Sequence, residues 1–100
     1  MIRTFFHARV GKDNAKVHNG KNGVFLSVDV ATDIYTGGRD VPMWVRLKTN
    51  KPNLVNLAQF LKKGKLIEVT GVLTFPETWT DKNGNIKSII IIIADSIELL

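Results

Sequence analysis

The chain has 100 residues, 44% of them hydrophobic, no cysteine and a formal net charge of +5. That length holds one domain, residues 1–100, around one core, and the lack of thiols excludes disulfides and thiolate metal sites. The excess of cations favours an anionic partner, whether nucleic acid, an acidic protein or an anionic membrane surface, although charge alone is equally compatible with simple solubility.

Ile2 to Val10 reads as a first strand, with Ile2, Phe6, Ala8 and Val10 alternating against Arg3, Phe5, His7 and Arg9. Those charged residues also interrupt the apolar stretch that a secretory signal needs. Gly11 to Gly23 reads as a loop rich in Asn, Gly and Lys. Val24 to Thr32 is a second strand, with Val24, Leu26, Val28 and Val30 on one face and Ser27 and Asp29 on the other. Tyr35 to Asp40 is a turn, because the paired glycines Gly37 and Gly38 accept positive φ.

Val41 to Thr49 is a third strand. Val41, Met43, Val45 and Leu47 form its inner face; Pro42, Trp44, Arg46 and Lys48 form its outer face. Pro42 belongs at the strand start or on an edge, since it cannot donate to a ladder. The period then changes. Leu54, Leu57, Ala58 and Leu61 form one helical stripe, which predicts a helix over Lys51 to Lys63. Pro52 suits its first turn, Asn50 or Asn53 its cap, and Gly64 its end.

Leu66 to Phe75 is a fourth strand, with Ile67, Val69, Leu73 and Phe75 inward. Pro76 to Asn85 is a connection with a hairpin tip at Lys82 to Asn85, and Lys87 to Leu99 is a fifth strand. Within it Ile89 to Ile93 is apolar on both faces, so either the twist of a closed barrel or a second subunit must cover it. The apolar run Ile89 to Ala94 is too short to span a bilayer, and a cytoplasmic protein is expected. Three strands, a helix and two strands is the connectivity of the OB-fold, an all-β, five-stranded barrel with one short helix between strands three and four.

Trp44 beside Arg46 and Lys48, on a face turned away from the core, suits unpaired nucleic acid. A base stacks on the ring while the cations meet phosphates. The alternative for Trp44 is packing under a loop. Trp79 falls in the connection between strands four and five, with Lys82 and Lys87 near, and Tyr35 sits at the turn between strands two and three. OB-folds bind oligonucleotides with the face of strands two and three and with the loops joining strands one–two and four–five. The first loop adds Lys12, Lys16, His18 and Lys21 as phosphate contacts. Phe5 and His7 suit a contact with another subunit better than a wider binding face. Two histidines without ligand spacing to carboxylates, and no phosphate-cradling glycine loop before a helix, point to neither an enzyme nor a metal or cofactor site.

The chain resembles the bacterial single-stranded DNA-binding protein family. The likeness runs from Val10-Gly11-Lys12-Asp13 to Ala94-Asp95-Ser96-Ile97. It is densest at Trp44-Val45-Arg46-Leu47, at Asn56-Leu57-Ala58-Gln59-Phe60-Leu61-Lys62-Lys63-Gly64, and at Val69-Thr70-Gly71-Val72-Leu73. Trp79-Thr80-Asp81-Lys82-Asn83-Gly84 looks like the family's tip before the last strand. The resemblance implies an OB-fold, sequence-tolerant binding of single-stranded DNA in replication, recombination or repair, and assembly into homodimers or homotetramers in the bacterial cytoplasm. It also implies base stacking at Trp44, at Trp79 and near Tyr35. Two features depart from the pattern. Thr49-Asn50-Lys51 lacks the aromatic often found just past the third strand, and the sequence stops at Glu98-Leu99-Leu100 without the family's Gly/Gln/Pro-rich tail and acidic tip, so the resemblance leaves recruitment of replication or repair proteins open. A primosomal or RNA-binding relative, and an OB-fold adaptor whose aromatics bind a partner chain, are the rival readings.

Overall fold

A computed structural model describes residues 1–100. Its strands are β1 (Arg3–Val10), β2 (Lys16–Gly20), β3 (Gly23–Thr36), β4 (Arg39–Thr49), β5 (Leu66–Leu73), β6 (Glu77–Thr80) and β7 (Ile86–Leu99). A helical turn, α1 (Pro52–Val55), and a 3₁₀ turn over Ala58–Phe60 lie between β4 and β5. Five strands pair in the order β1-β5-β7-β4-β3, and β3 returns to β1, which closes the barrel. This is the OB-fold expected from the element order. β2 extends the sheet beyond β3, and β6 pairs with the start of β7 as the first leg of a hairpin, the β6–β7 arm.

The barrel forms because the strands alternate. Leu26, Val30, Leu47, Ile67 and Val69 are fully buried, and Leu61 closes one end of the same core. Alternation breaks once, in β7, where Ala94 and Ile97 both face the core. A β-bulge at Asp95 absorbs the extra residue, because Thr70 pairs with Ser96 while Gly71 pairs with Ala94. Gly71 is required there: a Cβ on it would stand 2.5 Å from the Ile93 carbonyl oxygen and 2.7 Å from Ile92 Cγ2.

Several expectations need correction. Gly11–Gly23 is not all loop: Lys16–Gly20 pairs with Gly23–Ser27 as a hairpin. Every residue of β2 is exposed, so backbone pairing rather than burial holds it and no hydrophobic period marks it. β3 and β4 run on to a two-residue turn at Gly37 and Gly38, with φ of 60° and 79°. Tyr35 is therefore a strand residue opposite Asp40. This hairpin turn needs positive φ at both positions, which the two glycines supply.

The predicted helix is broken. Pro52 does open it, but no side-chain cap forms, and most of its backbone bonds close at i−3 rather than i−4. Val55 and Asn56 are poor helix formers in a segment already too short to sustain a helix, so the stripe tightens into 3₁₀ turns. Leu54 and Leu61 still reach the core. Gly64 has φ of 83°, as expected of a helix-ending glycine.

Phe75 does not face inward; it is 89% exposed, since β5 stops at Leu73 and Phe75-Pro76 bulge out before β6. Pro42 sits where expected for an edge, because β4 meets β7 only from Val45 to Lys48. Of the isoleucine run, Ile92 faces the core while Ile89 and Ile91 face outward, yet Ile91 is only 3% exposed. The chain itself covers this part of the outer face, through the side chains described next.

Candidate nucleic-acid interface

Register fixes which side chains share the outer face. Across β3 and β4, Ser27 lies opposite Lys48, Asp29 opposite Arg46, Ala31 opposite Trp44 and Tyr35 opposite Asp40. Across β2 and β3, Lys16 lies opposite Ser27 and His18 opposite Phe25. One continuous file therefore runs along β3 from Phe25 to Tyr35, about 34 Å at the usual strand rise.

Trp44 is 49% exposed. Its six-membered ring lies over Gly11: a Cβ on that glycine would stand 2.6 Å from Cζ3 and 3.0 Å from Cη2. The rest of the ring opens into a groove of about 550 Å³, with Arg9, Lys12 and Lys63 on its walls. Asp13 and Asp29 line it too, but the three cations outnumber them, and an indole supported on one side and open to such a groove on the other can stack a base while the cations meet its flanking phosphates.

Next along β4 stands an ion network. Arg46 donates from Nε to Asp29 Oδ1 at 2.7 Å and from Nη2 to Asp29 Oδ2 at 3.1 Å, a two-point pair. Its Nη1 donates to Glu77 Oε2 at 2.8 Å, and Lys48 Nζ donates to the other oxygen of Glu77. Glu77 belongs to β6, opposite Ile89, and Arg46 lies opposite Ile91 on the other side of β7. The side chains thus span β7 across its outward isoleucines, and aliphatic stems cover apolar surface as their charged ends meet. The hydrogen bond to Asp29 raises the Arg46 pKa above its ordinary value, despite partial burial. The hydrogen bond from Lys48, chiefly, holds the Glu77 carboxyl below the usual range.

Trp79 lies on the same face of β6 as Glu77, 44% exposed, and lines a groove with Arg46, Glu77 and Thr78. It is a strand residue, not the loop residue expected, and Lys87 is its cross-strand neighbour. A third groove, of about 330 Å³, connects Lys16, His18, Phe25 and Ser27 to Arg46, Lys48 and Glu77. The His18 and Phe25 rings stack there, 4.7 Å apart with planes at 19°.

The fold thus gathers Trp44, Arg46, Lys48, Lys12, Lys16 and Trp79 along adjoining grooves. Tyr35, 74% exposed, stands apart near the β3–β4 turn, and Lys21 and Lys82 stand at hairpin turns. Sequence reasoning missed Phe25, Asp29 and Glu77. The alternation that turned Ser27 and Asp29 outward also turns Phe25 outward, so that residue was within reach. The pairing of Asp29 and Glu77 with the cations depends on register and on the docked arm, which no local pattern carries.

Residues 1–100 match the profile of the single-strand binding protein family. No curated protein matches the chain in sequence. Among solved structures, the small single-stranded DNA-binding protein of Streptomyces coelicolor superposes with a TM-score of 0.79 at 17% identity, over 99% of this chain and 94% of that one. The Plasmodium falciparum SSB in complex with single-stranded DNA gives 0.74 at 21% identity, over 100% and 95%. The mitochondrial single-stranded DNA-binding protein of S. cerevisiae gives 0.67 at 19%, over 99% and 94%. At these identities the likeness is one of fold.

Proposed function

This chain belongs to the single-strand binding protein family, and on that premise we propose that its outer β3–β4 face and the β6–β7 arm form a sequence-tolerant grip on single-stranded DNA. It is a binding protein and not an enzyme. The seat of Trp44 carries the assignment of the site: an indole laid on Gly11, half exposed, in a groove walled by Arg9, Lys12 and Lys63. Every base has a π-face, so stacking there is indifferent to sequence. Trp79, Phe25 with His18, and Tyr35 extend the stacking surface; Arg46, Lys48, Lys12, Lys16, Lys21, Lys82 and Lys87 serve the phosphates.

In this reading the protein holds and protects single strands exposed during replication, recombination or repair, in the cytoplasm. No helix is long and apolar enough to cross a membrane. It works as a homodimer or homotetramer, with Phe5, 66% exposed, and His7 on the contact face; light scattering reads that mass directly. Titration with oligo-dT tests the central claim. Tryptophan fluorescence should be quenched on binding, and log K should fall by about 0.7 per phosphate contact for each decade of salt. Unquenched fluorescence at low salt would refute the assignment.

A further inference from the structure

Arg46 and Lys48 follow Trp44 along β4 on the proposed face, and Arg46 shares a groove with Trp79, yet neither cation is free. Together with Asp29 and Glu77 they make a cluster of zero net charge. The two carboxylates are not equivalent. Asp29 neighbours Arg46 across β3–β4, holds it at two points and belongs to the barrel wall. Glu77 comes from the arm and offers one oxygen to each cation. Two acceptor oxygens bridging a guanidinium and an ammonium is also how a backbone phosphate would sit. Glu77 is 41% exposed, and exposed ion pairs contribute little and exchange readily with another anion.

We propose that Glu77 fills, in the free protein, the seat that a backbone phosphate takes in the complex, so that this one carboxylate sets the affinity and salt dependence of the grip. The inference rests on the single-strand reading above. Binding exchanges one anion for another at Arg46 and Lys48. The phosphate displaces Glu77 instead of finding bare cations, and the complex is weaker than the count of cations implies. Held together by Glu77, the cations are also less open to adventitious anions, and the isoleucines beneath stay covered.

The test is a titration of the full chain with a labelled dT oligomer across a range of salt, for wild type, Glu77→Gln and Asp95→Asn. Glutamine keeps the size and one acceptor oxygen of Glu77 while removing the charge. Asp95 supplies the control: it sits on the β7 bulge against Arg3 and Lys51, outside the grooves, and its amide changes net charge equally. Glu77→Gln should bind about fivefold tighter in about 0.1 M salt, with a log–log slope steeper by up to about 0.7, because in wild type the freed carboxylate takes up a cation as the phosphate gives one up. Asp95→Asn should leave both unchanged. Equal gains in both variants would overturn the proposal, because general charge would then explain them. Unchanged or weaker binding by Glu77→Gln would also overturn it, leaving the carboxylate as a fastener of the arm. If wild type fails to bind dT, the single-strand reading falls too; if it binds and Glu77→Gln gains nothing, only the Glu77 assignment falls.

Discussion

Gly11 shows how much one missing side chain positions. The indole of Trp44 occupies the space where a Cβ on residue 11 would stand. The Gly11 amide also donates to the Asp29 carbonyl at 2.9 Å, so the backbone has little room to retreat. Gly11→Ala should therefore move the ring instead of the strand. The expected loss in dT affinity approaches the value of one stacked base, about 1–3 kcal/mol, as a titration would read it. Unaltered affinity would mean that Trp44 does not stack a base. At Phe25 the lesson runs the other way. A ring turned outward on β3 and stacked on His18 has a surface role open to it, and the period of the strand already marked it as outward-facing.

At the scale of elements, the bulge in β7 decides the packing of the barrel's last turn. It lets Ala94 and Ile97 share the core face and presents Asp95 to Arg3 at 3.2 Å. Gly71→Ala would push a methyl group into the Ile93 carbonyl and the Ile92 side chain. Overpacking of this kind costs about 1–3 kcal/mol, which thermal unfolding should register as a fall in Tm of about 5 °C or more. A Tm unchanged within error would show that the bulge can relax. Elements were legible in the sequence wherever burial imposed a period. The inward faces of β3 and β4 follow from Leu26 to Val30 and Val41 to Leu47, although Val24, read on the same face, lies beyond the core and is exposed, and the Gly37-Gly38 turn follows from its glycines. β2 was not legible, since five exposed residues carry no period. The helix was overread, because the stripe from Leu54 to Leu61 records which residues face the core and not how tightly the backbone is wound. Trp44, Arg46 and Lys48 were assigned to one face correctly, but their neutralisation was hidden, for Asp29 and Glu77 lie 17 and 31 residues from Arg46 along the chain.

For the whole molecule, the ion network ties stability to pH with a definite sign. Lys48 and Arg46 hold the folded-state pKa of Glu77 below its unfolded value. Its contribution is therefore present above the ordinary carboxylate range and disappears as pH falls through the folded-state value. Exposed pairs of this type contribute about 0.2–1 kcal/mol each, so wild type should unfold a few degrees above Glu77→Gln at neutral pH. That difference should shrink towards zero as the pH drops below about 4. A constant difference across the whole range would show that charge is not its origin. Comparing the two proteins cancels titration elsewhere in the fold.

The barrel closes where β1 meets β3, through only two residue pairs, Arg9 with Ala31 and Val10 with Val30. Ala31 is also the cross-strand neighbour of Trp44, and Gly11 follows Val10 directly. The shortest seam in the wall thus ends beneath the indole. A ligand held at once by Arg9 or Lys12 on one side and by Trp44 on the other acts as a clasp across it. If a strand does bridge it, occupancy and closure should reinforce each other, the bound strand slowing hydrogen exchange along the seam.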